Sequence, residues 1–269
     1  MMYEELREKA KQLRRDTLQA IYEGGSGHPG GSLSAMELLV ALYYGELKNI
    51  SSTDPYNVDR DRFILSKGHA CPALYAILAD KGYFPKEDLK TLRHVDSHLQ
   101  GQPDRKKTPG VDACAGSLGQ AVSVGVGMAL GAKKAGKNLR VYVILGDGEL
   151  QEGQPWEAFM SAAHYDLDNI TFIIDNNGLQ IDGTNEEVMS LGNLADKMRS
   201  FGMETIEIED GHNFEMIFDA FSAPHCKRPK AIVAHTVKGK GVSYMENVVY
   251  WHGAAPNEEQ LEQAMEELK

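Results

Sequence analysis

The stretch RVYVILGDGELQEGQPWEAFMSAAHYDLDNITFIIDNN (140–177) decides the fold. Its first apolar run (140–145) leads into Gly146-Asp147-Gly148. A second run, NITFIID (169–175), leads into Asn176-Asn177, which follow the GDG after 27 intervening positions. Short apolar runs that end in turn residues read as buried strands, and the segment between them (153–166) reads as a helix. Strand, helix, strand implies two parallel strands, each ending in a tight turn. Asp147 and Asn177 then share the carboxyl edge of one sheet, where ligands bind in open α/β folds. A carboxylate and an amide oxygen at that edge suit a hard cation, which takes oxygen ligands. Glycines on both sides of Asp147 let a backbone come close to an anion. Taken singly, GDG and DNNG (175–178) are ordinary turns; the strand before each and the helix between them make the pair informative.

The same alternation runs outward from this stretch. Strands are expected at 62–66, 204–208 and 230–237, and helices at about 193–202 and 213–223. Such alternation implies parallel strands with helices on both faces, a three-layer αβα fold with a mostly parallel sheet. A first helix spans about 3–23 and ends in Gly24-Gly25. Ser34 with Glu37 reads as a capping box opening a helix to about 46. Residues 95–114 form a long polar loop, a length usually functional or mobile. A helix over about 118–136 carries Gly125, Gly127 and Gly131, explained by close helix packing. The last helix opens at Asn257. No Pro/Gly/Ser linker divides the chain, so residues 1–269 read as one domain.

Composition narrows the function. With 42% hydrophobic and 25% charged residues the chain can bury one large core. A net charge of −11 (28 basic minus 39 acidic) argues against a general nucleic-acid surface. Three cysteines, Cys71, Cys114 and Cys226, have neither paired nor metal-like spacing and fit reduced thiols of a cytoplasm. Cys71 and Cys114 read as packing residues. No stretch approaches the roughly 18 apolar residues of a membrane span. The charged start reads as an amphipathic surface helix without an apolar signal core.

Several segments together resemble the transketolase family. They are SGHPGGSLS (26–34), RDRFILSKGHACPALYAIL (60–78), GSLGQAVSVGVGMALG (116–131), GDGELQEGQPWEA (146–158), DNNGLQIDG (175–183), TVKGKG (236–241) and WHGAAP (251–256). They follow that family's order and spacing over nearly the whole chain, and the GDG…NN pair resembles the thiamine diphosphate motif. The resemblance stops where a full-length transketolase would continue for more than its own length again. It therefore implies the amino-terminal, diphosphate-binding half, supplied as a separate subunit.

That resemblance implies a set of roles. Mg²⁺ (or Ca²⁺ or Mn²⁺) would be held by Asp147, the Asn177 side chain and the Leu179 carbonyl, completed by two diphosphate oxygens and a water. Gly148, Gly116, Ser117, Leu118, Ile181 and Lys238 would contact thiamine diphosphate, Lys238 as a point charge on the diphosphate. His28, His69 and His252 sit in Gly-containing loops and would handle the sugar and move protons, with His69 and His252 also touching the cofactor. Glu152 and Glu157 match glutamates near the family's dimer interface, Glu152 also counted among the cofactor contacts. Gln102 stands where the family commonly has a histidine; it still offers hydrogen bonds to a sugar hydroxyl but carries no proton charge. Gly31 replaces a polar residue of some relatives. The glutamate that activates the cofactor's pyrimidine ring lies on the family's second domain, so the resemblance implies a partner carrying that domain and a heterotetramer of two copies of each chain. Three alternatives stay open: the α subunit of a 2-oxo acid dehydrogenase E1 component, which predicts neither SGHPG, SKGHA nor the late WHG; a 1-deoxyxylulose-phosphate synthase fragment; and a non-catalytic thiamine diphosphate-binding regulatory subunit.

Overall fold

Side chains alternate sides along a strand, and here that alternation builds two cores around one sheet. The computed structural model describes residues 2–269. Its strands are β1 (Arg62–Leu65), β2 (Val141–Gly146), β3 (Ile170–Asn176), a short antiparallel hairpin of β4 (Leu179–Gln180) and β5 (Gly183–Thr184), β6 (Glu204–Ile208) and β7 (Lys230–His235). The main sheet runs β1-β2-β3-β7-β6 with every pairing parallel. Gly146 pairs with Asp175 and Asn176 with His235, so the carboxyl ends of β2, β3 and β7 lie level.

The helices are α1 (Met2–Glu23), α2 (Pro29–Ser34), α3 (Met36–Ala41), α4 (Cys71–Asp80), α5 (Gln120–Lys134), α6 (Gln154–His164), α7 (Asn185–Met189), α8 (Leu194–Ser200), α9 (Phe214–Ser222) and α10 (Glu258–Glu267). On one face Phe63, Leu65, Tyr142, Ile144, Ile173 and Ile232 pack under α1, α3, α4 and α9. On the other, Ile64, Val141, Val143, Phe172, Ile174 and Val233 pack under α5, α6 and α8. A third, smaller cluster joins Leu18 of α1, Leu33 of α2, Trp251, and Leu261 and Ala264 of α10. That cluster pins the late WHG segment beside α2, a contact between the two ends of the sequence.

Three expectations are corrected. Ser34 caps no helix: α2 begins at Pro29, and the Ser34 hydroxyl bonds the Gly31 carbonyl and, at 2.6 Å, Asp175 Oδ2. Proline at the first helical position explains the earlier start, because its missing N–H costs nothing there. Close packing explains Gly125, whose Cβ would come 2.6 Å from Val143, but Gly127 and Gly131 face open space. Cys71 is buried, whereas Cys114 is exposed rather than packed.

Glu37, instead of capping, sits in a buried triad. Arg14 grips both its oxygens at 2.6 Å, and His212 donates Nδ1–H to Oε2 at 2.7 Å while its Nε2 accepts from the Val237 amide at 2.8 Å. Arg14 also donates to the Leu33 carbonyl. The triad thus ties α1 and α2 to the loop after β7. Burial would raise the Glu37 pKa; Arg14 and His212 outweigh it and hold it at about 2, below its ordinary 4.5. A depressed carboxylate stabilises the fold above its unfolded pKa, and that stability is lost as pH falls from 4.5 through 2. Replacing Glu37 by Gln strands a buried guanidinium and is expected to cost about 3–5 kcal/mol in denaturant unfolding at neutral pH. A cost below about 1 kcal/mol would show that the triad contributes little.

Candidate active site

Four strand ends deliver polar groups into one cleft of about 230 Å³. Lys67 and His69 follow β1, Asp147 and Gly148 follow β2, Asn177 and Leu179 follow β3, and Lys238 follows β7. His28, at the start of α2, and His252, from the late segment, close one side. Gly30 permits the closure: a Cβ there would stand 2.8 Å from the Trp251 carbonyl and 3.0 Å from Lys238 Cγ.

On the β2–β3 side Asp147 is 2% exposed. It accepts from the amides of Gly148 at 2.7 Å and Gly178 at 2.5 Å. Burial, and then the neighbouring Asp175, push its carboxyl pKa upward. Among the described residues it has no ion-pair partner, unlike Asp175, which holds Lys67. Asn177 Oδ1 accepts from the Leu179 amide at 3.2 Å, and the Leu179 carbonyl accepts from Lys238 Nζ at 2.9 Å. A buried carboxylate without a cation, an amide oxygen and a main-chain carbonyl on one turn fit a hard divalent ion. No cluster of three His, Cys, Asp or Glu side chains exists among the described residues, so the remaining oxygens of such a site must come from a ligand. Gly116 and Leu118 line the cleft near Gly148. Their loop is fastened by Glu149, which accepts from the Gly119 amide at 2.8 Å, the Gly146 amide at 3.1 Å and the Ser66 hydroxyl. The donors and the cation Lys238 therefore fit a metal–diphosphate group.

On the other side the three imidazoles meet. Ring centroids lie 5.2 Å apart for His28 and His69, 5.6 Å for His28 and His252, and 5.1 Å for His69 and His252. Burial, then Arg93 and Lys238, lower the His28 pKa to about 4. Burial, then Lys238, lowers His252 to about 3. His69 falls well below its ordinary value, through burial and Lys67. Lys238, bonded to His252 Nδ1 at 3.0 Å, is itself lowered to about 8 by burial and Lys67. All three rings are neutral at pH 7, so each offers one N–H and one lone pair. In ¹⁵N spectra His28 and His252 are expected to keep neutral-ring shifts down to pH 5. An imidazolium signal from either at pH 6 would contradict this electrostatic arrangement.

Not every residue expected at the site lies in the cleft. Ile181 is on the rim, 66% exposed. Ser117 is exposed beside it. Gln102 is half-buried behind the wall: its Oε1 would lie 2.5 Å from a Cβ on Gly68 and has no hydrogen-bond partner. Glu152 and Glu157 are exposed near and on α6, outside the cleft lining.

Sequence reasoning missed the groups that hold the cleft together. Asp175 is fully buried and takes hydrogen bonds from Lys67, Ser34 and Thr236. Burial would raise its pKa; Lys67 and these hydroxyls lower it. One aspartate thus joins the loops after β1 and β7 to α2. The available signal was a lysine and an aspartate, each directly following an apolar strand, on the two neighbours of β2.

The profile of a family described as "Transketolase, thiamine diphosphate binding domain" matches residues 6–269. One of two apulose-4-phosphate transketolase subunits that align with the chain, from Phocaeicola vulgatus, is 41% identical over 100% of this chain and 95% of its own length. A 6-deoxy-6-sulfo-D-fructose transketolase subunit of a Clostridium species is 43% identical over 98% of this chain and 96% of its own length. Among solved structures, transketolase from Leishmania mexicana superposes with a TM-score of 0.91 at 31% identity, covering 96% of this chain and 40% of that one. The chain thus spans nearly the full length of the subunit relatives and 40% of that solved transketolase.

Proposed function

The chain belongs to the transketolase family, and from that membership we propose that it is the amino-terminal subunit of a split transketolase. With a partner carrying the pyrimidine-binding domain, it moves a two-carbon ketol unit from a ketose phosphate to an aldose phosphate. One observation carries the reading: a cation-seeking turn at Asp147, Asn177 and Leu179 faces three neutral, clustered imidazoles across one cleft.

Thiamine diphosphate, held through Mg²⁺, supplies a carbon nucleophile for the substrate carbonyl. Asp147, the Asn177 side chain and the Leu179 carbonyl hold the metal; Gly148, Gly116, Leu118 and Lys238 surround the diphosphate. Breaking the donor's C2–C3 bond requires the C3 hydroxyl to lose its proton. A neutral imidazole with a free lone pair takes it, and His28 and His252 have the position and the low pKa for that task. His28 Nδ1 is buried without a hydrogen-bond partner, so substrate binding would satisfy it at little reorganisation cost. Substituting Ala for His28 or His252 is expected to lower turnover by about 10²–10⁴-fold while cofactor affinity moves far less. Near-normal turnover in either variant would make its loop structural.

Relatives of this length that are named as subunits support a partner chain. A surface for assembly is available on α5 and α6. Val124 is 42% and Met160 62% exposed, and Gly127 and Gly131 stand open beside them. Apolar groups exposed along two neighbouring helices favour association. Two-fold pairing gives a heterotetramer of two copies of each chain. No described helix is long and apolar enough to cross a membrane, in keeping with a cytoplasmic setting. The test is a coupled assay of the co-expressed pair with thiamine diphosphate and Mg²⁺. Ketol transfer supports the proposal, decarboxylation of a 2-oxo acid would favour an E1-type subunit, and neither activity a regulatory one.

A further inference from the structure

Gly31 is a glycine without a conformational reason. Its φ is not in the left-handed region, and it lies inside α2, where glycine costs roughly 0.5–1 kcal/mol relative to alanine. A Cβ at this position would meet Lys67 Nζ and His69 Nε2, each at 3.4 Å, which is ordinary contact rather than a clash. All three residues line the cleft. The chain therefore leaves open, at some cost in helix stability, a space the size of a methyl group between an ammonium and an imidazole.

The chemistry of that corner is specific. Two of the three Lys67 ammonium protons are taken by Asp175 and by the Gly31 carbonyl at 2.7 Å. The Ser34 hydroxyl, at 3.5 Å, is too distant to take the third well. The Lys67 charge is already neutralised by the buried Asp175, so the corner rewards a neutral acceptor over a second anion. Neutral His69, without a side-chain hydrogen bond among the described residues, can complete the contact to a hydroxyl. A substrate hydroxyl fits these demands; a carbon-bound hydrogen leaves both groups unmet, a loss that a polar site penalises.

We infer that Gly31, Lys67 and His69 form a specificity subsite for a hydroxymethyl branch on the donor, so that the preferred substrate is a ketose phosphate branched at the carbon next to the carbonyl. This rests on the transferase reading above. Bond changes are the same for branched and unbranched donors. The C2–C3 bond breaks, its electron pair stays with the two-carbon unit, the C3 hydroxyl proton passes to an imidazole, and C3 leaves as a carbonyl. From a branched donor it leaves as a ketone, from an unbranched one as an aldehyde.

The experiment uses the co-expressed, cofactor-loaded complex and compares kcat/KM for a ketose phosphate with a C3 hydroxymethyl branch and for its unbranched counterpart. The wild type is expected to prefer the branched donor. Gly31→Ala fills the corner and covers Lys67, and it is expected to lower the branched-to-unbranched ratio at least about tenfold, as one methylene in a pocket commonly does. Gly31→Ser is expected to move the ratio in the same direction. A wild type that transfers ketol units only from the unbranched donor, or a ratio that Gly31→Ala leaves unchanged, overturns the subsite and leaves the transferase assignment standing. A wild type that transfers from neither donor overturns both.

Discussion

Asp147→Ala is expected to weaken Mg²⁺-dependent binding of thiamine diphosphate by at least about 10²-fold, because even outer-sphere changes around a metal cost 10–100-fold. The substitution removes the only carboxylate on the turn that collects Asn177 and the Leu179 carbonyl. An anionic cofactor and a buried carboxylate repel one another unless a cation lies between them, so affinity for metal and cofactor should fall together. The fold is expected to persist, since Asp147 without metal is a buried charge with no cationic partner, and removing such a group relieves desolvation. Melting without ligand should therefore be unchanged or slightly higher in the variant, while the ligand-induced rise in Tm disappears. Calorimetry of the assembled enzyme decides the matter. Unchanged cofactor affinity in Asp147→Ala would sink the metal assignment.

How much of this was legible before the structure follows from the range of each signal. The β2–α6–β3 unit was readable because its strands are apolar runs and its turns are glycine-flanked, both local properties. The three histidines were readable one by one as loop residues. Their convergence was not, because it depends on α2 and the 249–252 turn meeting through Leu33 and Trp251, residues more than two hundred positions apart. Ser34 and Glu37 were misread for the same reason. Their three-residue spacing satisfies a local capping rule, but tertiary partners claim both side chains, Asp175 for one and Arg14 with His212 for the other. Lys67 and Asp175 look in sequence like the polar ends of two strands. Only the sheet order, which puts β1 and β3 on either side of β2, makes them a buried pair. Gly127 and Gly131 differ from Gly125 only by the helix face they occupy, which the repeat of glycines hides.

Ketol transfer is expected to be undetectable for this chain alone and to appear when the pyrimidine-domain subunit is added. The cleft formed here presents metal ligands and three imidazoles, but its rim is open, with Ile181 66% and Tyr250 70% exposed. Apolar side chains left in water at the mouth of a polar cleft favour a covering surface. Until that surface arrives, water reaches the cleft and screens Lys238 and the neutral imidazoles. Closure excludes the water and strengthens each electrostatic contact at the reacting carbon. It also deepens the burial that already holds His28 at about 4 and His252 at about 3, so both remain bases in the assembled site. The expected result is a titration: activity rises with added partner and saturates at one partner per chain, while the mass in solution moves to that of two copies of each. Surface charges on α5 and α6 provide the control. Met160→Lys and Val124→Lys lie outside the cleft and are expected to impair assembly and activity together, with the isolated chain's melting little changed. Robust turnover by the isolated chain with thiamine diphosphate and Mg²⁺ would refute the split-enzyme proposal, and saturation at half a partner per chain would refute the heterotetramer.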